Sequence, residues 1–305
     1  SHIMKLFSPR RLHELLIKDT YDVEIAYLEG PCARIISGCN EPKTKKYAWI
    51  HIEQHSPEIA TRSFRNQKEA EFCYNSFDQI NCVSETVLKD FRECLKINVP
   101  LKVIYNTNES EKIINLSREA VGEEFISSGA FKLIGVGKLL KSKGFDRILR
   151  IVKRLLDEEY NVHFYILGIG EEEKNLKQYI AENNLKNRVT LLGYQTNPYK
   201  YVAKSDLFVC ASLREGFSTA ATEALIVGTP VCTVDVSGMK EMLGDNNEYG
   251  VVVPNEEENL YSAIKNFIIS PERLSYYKKK AIQRGKFFSM KNTVSAVEKL
   301  VNGDL

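Results

Sequence analysis

The sequence predicts an α/β protein with two domains, each built from helices that cover a parallel sheet. Short β-branched runs alternate with amphipathic helical stretches along most of the chain, which is the pattern of successive βαβ units. The length of 305 residues suits about two domains. With 43% hydrophobic and 27% charged residues, the composition is that of a globular protein and excludes disordered, collagen-like and coiled-coil classes.

The second half alternates most regularly and predicts a doubly wound α/β domain over residues 130–285. Strands are predicted at 131–136, 162–167, 189–192, 207–211, 230–234 and, more weakly, 250–253. Helices are predicted at 145–156, 172–183, 198–203 and 219–227. Gly228 and Pro230 follow the last of these helices, which is a usual stop signal.

The first half has the same pattern with fewer elements. Strands are predicted at 23–27, 46–52, 79–83 and 101–104, and helices at 10–18, 63–75 and 85–94. A doubly wound half usually has about six strands, and here a helix precedes the first strand. Residues 5–106 are therefore interpreted as a partial N-terminal domain. Residues 1–4 resemble a cloning scar ahead of a start codon and do not enter this prediction.

The remaining segments connect or follow these domains. Residues 107–129 are rich in Glu, Ser and Asn and are predicted to be a linker. Residues 272–305 are predicted to be largely helical and basic, and residues 286–305 are predicted to form a C-terminal helix that crosses back to the N-terminal domain.

Charge and cysteine usage exclude several classes. A net charge of +2 gives no basic excess for nucleic acid, and no stretch of 18 apolar residues predicts a membrane span. The seven cysteines are odd in number and include no C-x-x-C pair, which argues against a disulfide framework and a zinc cluster. No secretory signal is evident, so a cytoplasmic location is expected.

The strongest local feature spans residues 211–225, where a strand, a short loop and a helix follow one another. The free amides at the helix N-terminus, together with Gly216, suit a phosphate. Glu215 and Glu223 would repel that phosphate, so they should face hydroxyl groups. Phosphates flanked by hydroxyl-bearing groups describe a nucleotide sugar. The alternative is that Ser218 merely caps the helix and both glutamates are solvated.

Glu215-Gly216-Phe217 followed by Glu223 resembles the E-x7-E motif of retaining GT-B glycosyltransferases, in particular glycosyltransferase family 4, also called group 1. Further segments resemble this family in the same order, at 136–146, 167–170, 192–194, 205–209, 228–231 and 238–241. Upstream segments at 21–23, 49–51, 82–85 and 103–106 resemble the second part of its N-terminal domain. The resemblance covers nearly the whole chain.

The resemblance implies a GT-B fold, with two Rossmann-like domains facing a cleft and the N-terminal one incomplete. It implies retaining transfer of a hexosyl group from a nucleotide-diphosphate donor, UDP-linked, to a glycan or lipid-linked acceptor in polysaccharide or glycoconjugate biosynthesis. No metal and no cofactor other than the donor is expected. A lipid-linked acceptor would allow peripheral association with the inner face of the membrane. Because a complete member has an upstream strand and Gly-rich loop, the truncated chain is expected to transfer little or nothing.

The resemblance also assigns donor-binding residues. Lys138 and Lys143 would meet the diphosphate. The family usually has arginine at position 138, and its guanidinium can donate two parallel hydrogen bonds, whereas lysine offers a single point charge. Glu215 would bind hydroxyls of the transferred sugar, and Glu223 those of the ribose. Three loop residues would present their backbones to the phosphates: Gly216, Phe217 and Ser218.

Four further residues have less specific assignments. Leu192 and Gly193 are expected near the base pocket, and Asn106 at the start of the hinge, where it would line the cleft. His51 lies at the end of the predicted strand 47–52 and would lie beside the acceptor or the transferred sugar, but a structural packing role is equally open. Two rival functions remain: a nucleotide-sugar epimerase or phosphorylase-like enzyme on the same architecture, or a nucleotide-binding fragment without catalysis.

Overall fold

The computed structural model describes residues 3–122, 125 and 129–302. Residues 123–124 and 126–128 of the predicted linker, 303–305 of the predicted C-terminal helix and the first two residues lie outside this description. The chain divides into two compact units. The first unit comprises Ser1–Asn106 with Val294–Leu305, and the second comprises Thr107–Thr293.

The first unit contains a four-stranded parallel sheet in the order β1-β2-β3-β4. Its strands are β1 (Val23–Ala26), β2 (Lys45–Ile50), β3 (Gln79–Cys82) and β4 (Leu101–Val103). Its helices are α1 (Pro9–Leu16), α2 (Pro31–Ile36), α3 (Pro57–Ala60), α4 (Gln67–Tyr74) and α5 (Glu85–Cys94). Every residue of β3 is buried, as expected for a parallel strand covered on both faces.

Side-chain caps fix where several of these helices begin. Ser8, Ser56, Asn66 and Ser84 each accept a hydrogen bond from an amide in the first turn of α1, α3, α4 and α5. The cap at Asn66 explains why α4 begins at Gln67, four residues later than predicted. Helices α2 and α3 are missing from the prediction, although a proline opens each of them.

The N-terminal segment takes part in the first unit. Residues Ile3–Leu6 form a 3-10 turn, although two of them resemble a cloning scar. The fully buried guanidinium of Arg34 donates to the carbonyl oxygens of Met4 at 2.7 Å and Phe7 at 2.8 Å, and it pairs with Glu69 at 3.0 Å. A buried cation needs such partners, so these contacts anchor the segment.

The second unit contains a six-stranded parallel sheet in the order β10-β9-β8-β5-β6-β7. Its strands are β5 (Phe131–Val136), β6 (Val162–Leu167), β7 (Val189–Gly193), β8 (Leu207–Cys210), β9 (Val231–Val234) and β10 (Val251–Val253). Its helices are α6 (Ser110–Ser117), α7 (Phe145–Asp157), α8 (Glu173–Glu182), α9 (Tyr199–Ala203), α10 (Thr219–Ile226), α11 (Met239–Leu243), α12 (Glu257–Ile269) and α13 (Pro271–Phe287). A last helix, α14 (Met290–Asn302), begins in this unit and continues into the segment grouped with the first.

The two parallel sheets confirm the predicted α/β fold class, and three helices of the second unit differ from the prediction. The predicted linker contains the eight-residue helix α6, whose Ile113 is buried. Helices α11 and α12 are missing from the prediction, although α12 buries an apolar face against the sheet. None of the described helices is long and apolar enough to cross a membrane.

Candidate functional site

The strand order of the second unit reverses between β5 and β8, and this creates a crevice at the carboxyl ends of the strands. The chain runs from β5 to β6 on one side, whereas β8 lies on the other side of β5. Ligands of open α/β sheets bind where the loops diverge at such a point. A cavity of about 260 Å³ lies there, lined by Lys138 and Lys143 from the segment after β5 and, after β8, by Ser212, Glu215 and residues 217–220. Gly216 belongs to the same loop but is not among the residues that line the cavity.

A lysine–glutamate ion pair occupies this crevice. The ammonium of Lys143 donates to Glu215 Oε1 at 2.7 Å, and the Ser212 hydroxyl donates to the same oxygen at 2.7 Å. The Cys210 thiol lies 3.9 Å from that oxygen, and burial raises its pKa. The structure thus joins two residues that the resemblance assigned to different parts of the donor.

Close backbone packing holds the two loops together. Gly144 has a φ of +66°, and a Cβ at this position would overlap the carbonyl oxygen of Ala211. The amide of Leu213 donates to the Ser142 carbonyl at 2.7 Å. Only glycine tolerates both the left-handed conformation and this approach, so Gly144 permits Lys143 to reach Glu215.

The loop after β8 leads into a capped helix. Ser218 Oγ accepts from the Ala221 amide at 3.4 Å at the start of α10, as the capping alternative expected. The amides of Thr219 and Ala220 open the same helix, and both residues line the cavity. Phe217 is buried, and its ring packs edge-on against Phe288 with centroids 5.6 Å apart. Capping therefore coexists with a helix N-terminus whose first residues line the crevice.

A second cavity of about 470 Å³ adjoins the first. It shares Val136, Gly137 and Lys138 with it and extends to Gly168, Tyr194 and Tyr199. Gly168 has a φ of +144°, and a side chain there would overlap the carbonyl oxygen of Gly137. The exposed Lys138 therefore lies at the junction of the two cavities, where it could serve a ligand that spans both.

Glu223 lies beside the larger cavity in contact with Tyr199. The Tyr199 hydroxyl donates to Glu223 Oε1 at 3.2 Å. Burial raises the pKa of Glu223 to about 6, an effect that the hydrogen bond from Tyr199 partly opposes. Burial, followed by the charge of Glu223, raises the pKa of Tyr199 to about 12. The solvated alternative does not describe this half-buried carboxyl.

The remaining residues with assigned roles lie elsewhere. Leu192 and Gly193 end β7, and the cavity is lined by the residues that follow them, 194–196. His51 follows β2 and Asn106 is the last residue of the first unit's main segment. His51 Nε2 lies 2.8 Å from the Tyr27 carbonyl oxygen, and the two rings meet edge-on at 5.0 Å. This geometry is that of the packing role left open for His51.

Sequence reasoning missed the residues that support the loop before Glu215. Arg147, only 9% exposed, donates to the Ala211 carbonyl at 3.0 Å and to Asn255 Oδ1 at 2.6 Å. Asn255 donates in turn to the Ser212 carbonyl at 3.4 Å. A charged residue on the apolar face of the predicted helix 145–156 was the available signal, since buried arginine requires partners.

Sequence reasoning also gave no role to His13. Its Nε2 lies 2.8 Å from the buried carboxylate of Glu24 in the first unit, and Cys39 lies near both. Lys46, the register partner of Glu24 on β2, reaches the Cys39 carbonyl at 3.4 Å. His13 therefore gives this buried carboxylate a hydrogen-bonding partner.

The family model described as glycosyl transferases group 1 matches residues 117–284. The chain belongs to this family. Its matched segment contains the crevice, the Lys143–Glu215 pair and Glu223. The expectation of a group 1 glycosyltransferase is thereby confirmed.

Curated relatives match part of the chain. An N-acetylgalactosamine-N,N'-diacetylbacillosaminyl-diphospho-undecaprenol 4-alpha-N-acetylgalactosaminyltransferase of Campylobacter jejuni is 35% identical over 191 residues, which is 61% of this chain and 49% of that protein. An uncharacterized glycosyltransferase of Methanocaldococcus jannaschii is 36% identical over 145 residues, or 47% of this chain and 36% of that protein. The chain thus covers half or less of these relatives.

Solved structures share the fold across nearly the whole chain. HepE of Anabaena in complex with UDP superposes with a TM-score of 0.78 at 19% identity, covering 97% of this chain and 80% of that one. The pneumococcal O-GlcNAc transferase GtfA, in complex with UDP and GlcNAc, gives 0.71 at 19% identity, covering 96% and 59%. These likenesses confirm the expected GT-B fold class.

Proposed function

We propose that the second unit binds a nucleotide-diphosphate sugar, with UDP as the nucleotide, and presents its sugar for transfer. The observation that carries this proposal is the Lys143–Glu215 pair beside the N-terminus of α10 in one crevice. The lysine and the helix amides suit the diphosphate, and the carboxylate suits sugar hydroxyls. The solved structures of HepE and GtfA, both in complex with UDP, support the choice of nucleotide.

The two adjoining cavities suit the two ends of such a donor. Glu223 and Tyr199 beside the larger cavity would meet the ribose, with the base near residues 194–196. Glu215 in the smaller cavity would meet the transferred sugar. Lys138, which lines both, would lie against the diphosphate between them.

The same residues favour transfer with retention by front-side attack, without metal. Among the described residues that line the smaller cavity, Glu215 is the single carboxylate, and it accepts from Lys143 and Ser212. Its ion pair with the Lys143 ammonium lowers both the nucleophilicity of this carboxylate and its attraction for a metal cation. The leaving phosphate would then accept the proton of the attacking hydroxyl, while the ammonium and helix amides stabilise its negative charge.

The proposed acceptor is a glycan or a lipid-linked glycan. The name of the Campylobacter relative specifies a diphospho-undecaprenol acceptor, which supports the lipid-linked alternative. Transfer is tested by incubating the chain with UDP-sugars and such acceptors, and the anomeric configuration of any product decides retention. Nucleotide binding without transfer to any acceptor would favour the alternative function, a nucleotide-binding fragment without catalysis.

Nucleotide binding is tested by thermal unfolding with UDP, ADP and GDP, with and without EDTA. UDP at 100 times its Kd should stabilise the second unit by about 2.7 kcal/mol, and EDTA should leave this shift unchanged. Lys143→Ala should weaken the shift. Lys141→Ala is the matched control, because Lys141 belongs to the same turn but pairs with Asp146. No shift with any nucleotide would refute the proposal.

A further inference from the structure

Three side chains that can bind a metal ion meet in the first unit. His13 lies on α1, Glu24 lies on β1, and Cys39 lies in the segment that follows α2. One ligand atom from each of them lies within 4.8 Å of the other two. The three positions are 11 and 15 residues apart along the chain, so no short spacing motif in the sequence predicts that they meet.

Glu24 is a charged residue at a core position of β1. It is 6% exposed, whereas its neighbour Ile25 is 39% exposed, so the carboxylate takes the buried face that an apolar residue usually occupies. Both of its oxygens contact a single atom, His13 Nε2, at 2.8 and 3.0 Å. Among the described residues, no other side chain donates to it, and His13 is a cation only when protonated. Buried charges are normally paired or bound to a metal, so a metal cation would complete this site.

Cys39 adds a sulfur ligand whose position is fixed by its backbone. Its amide donates to the Ile36 carbonyl at 3.1 Å, and its carbonyl oxygen accepts from the Lys46 ammonium at 3.4 Å. The Cys39 side chain is buried, whereas the His13 side chain is 12% exposed. The protein therefore holds the three ligands in place and leaves them a route to solvent at His13.

The ligand types favour zinc. Zn²⁺ binds imidazole nitrogen, thiolate sulfur and carboxylate oxygen at about 2.0–2.3 Å, whereas Mg²⁺ and Ca²⁺ prefer oxygen ligands. Ligand atoms of one tetrahedral zinc ion lie about 3.3–3.6 Å apart, so these side chains would close around it by shifts of about 1 Å. A carboxylate and a thiolate together balance the charge of the ion. Three protein ligands leave its fourth position to water.

We propose that His13, Glu24 and Cys39 bind one Zn²⁺ ion that joins α1, β1 and the segment after α2. Binding would leave the imidazole proton on Nδ1 and release the thiol proton of Cys39 to the buffer. Of the eight described residues of α1, Leu12 alone is buried, so the ion would supply a second attachment and stabilise the first unit. This ion is separate from the transfer reaction, for which no metal is proposed.

The proposal is tested on the full chain after EDTA treatment and removal of the chelator. Calorimetry should find one tight Zn²⁺ site per chain. Zn²⁺ should also raise the temperature at which the fluorescence of Trp49 reports unfolding of the first unit, whereas Mg²⁺ at the same concentration should not. Co²⁺ in place of zinc should give the near-ultraviolet charge-transfer band of a cobalt–thiolate bond, which identifies a cysteine ligand.

Variants assign the ligands. Cys39→Ser should remove the cobalt–thiolate band and weaken zinc binding at least about 100-fold, because even residues that only orient metal ligands contribute about 10- to 100-fold. Glu24→Gln and His13→Asn should each weaken zinc binding comparably. The matched control for the thiol is Cys32→Ser, which removes a half-buried cysteine of α2 in the same unit and should leave the band and the affinity unchanged.

Three outcomes would overturn the proposal: no zinc binding by the natural chain, a cobalt–thiolate band that persists in Cys39→Ser, or a loss in His55→Asn equal to that in His13→Asn. The last outcome would assign the ion to His55, whose Nδ1 lies 3.9 Å from Asp90. Circular dichroism of the metal-free proteins checks that each variant folds. If Cys39→Ser unfolds without metal, Glu24→Gln and His13→Asn carry the same test.

Discussion

Glu223→Gln should remove a pH-dependent loss of stability from the second unit. Burial raises the pKa of Glu223 from 4.5 to about 6, so folding opposes its ionisation. The folded pKa lies above the unfolded one, and the carboxyl's contribution to stability is therefore fully present below about pH 4.5. It is lost as the pH rises through 6. Glutamine retains the carbonyl oxygen that accepts from Tyr199.

The magnitude follows from the size of the shift. A difference of about 1.5 pKa units corresponds to about 2 kcal/mol, at about 1.4 kcal/mol per unit. Relative to the natural chain, Glu223→Gln should gain about 2 kcal/mol in the free energy of unfolding above about pH 7. Below about pH 4.5 the two proteins should be equally stable, since the carboxyl is then neutral in both states.

The assay is urea unfolding at several pH values between about 4 and 8. Circular dichroism reports both units, whereas the fluorescence of Trp49, the single tryptophan, reports the first unit. Glu171→Gln, which removes an exposed carboxylate of the same unit, is the matched control and should leave the pH profile unchanged. A stability difference between Glu223→Gln and the natural chain that is constant across this range would refute the reasoning.

Three further predictions concern the same unit. Glu223→Ala should weaken UDP binding by about one to two decades in Kd. Glu215→Ala should leave UDP binding nearly unaffected and weaken binding of the cognate UDP-sugar. Equal losses of UDP affinity in the two variants, measured by calorimetry, would contradict these roles. Lys143→Ala and Glu215→Ala should be non-additive in stability by about 0.5–3 kcal/mol in a double-mutant cycle, and a coupling of zero would contradict the ion pair. Gly144→Ala should cost at least about 2 kcal/mol of unfolding free energy, because it adds an overlap with a backbone carbonyl to a strained φ. Gly193 has the same φ of +66°, but a Cβ added there would meet no atom within 4 Å. Gly193→Ala should therefore cost less unfolding free energy than Gly144→Ala. Equal costs would mean that the overlap at position 144 relaxes freely.

The secondary structure of the second unit could be read from the sequence because its signals are local. The predicted strands 131–136 and 162–167 coincide with β5 and β6, and the helix stop at Gly228 lies just beyond α10. Hydrophobic periodicity and helix-stop residues depend on near neighbours along the chain, which the sequence displays directly. Helix α12 was not predicted, although its apolar residues pack on the sheet. Helix α6 was not predicted because the sequence around it is polar.

The features of the candidate site also divide into those that the sequence predicts and those that only the structure shows. The sequence alone determined the motif residues Glu215 and Glu223 and the strand–loop–helix context that predicts an anion site. Only the tertiary structure decided that Lys143, 72 positions before Glu215, neutralises it. It likewise decided that Arg147 meets Asn255, 108 positions away. Such contacts form when parallel strands place distant loops at one edge of a sheet, and no local pattern records which loops will meet.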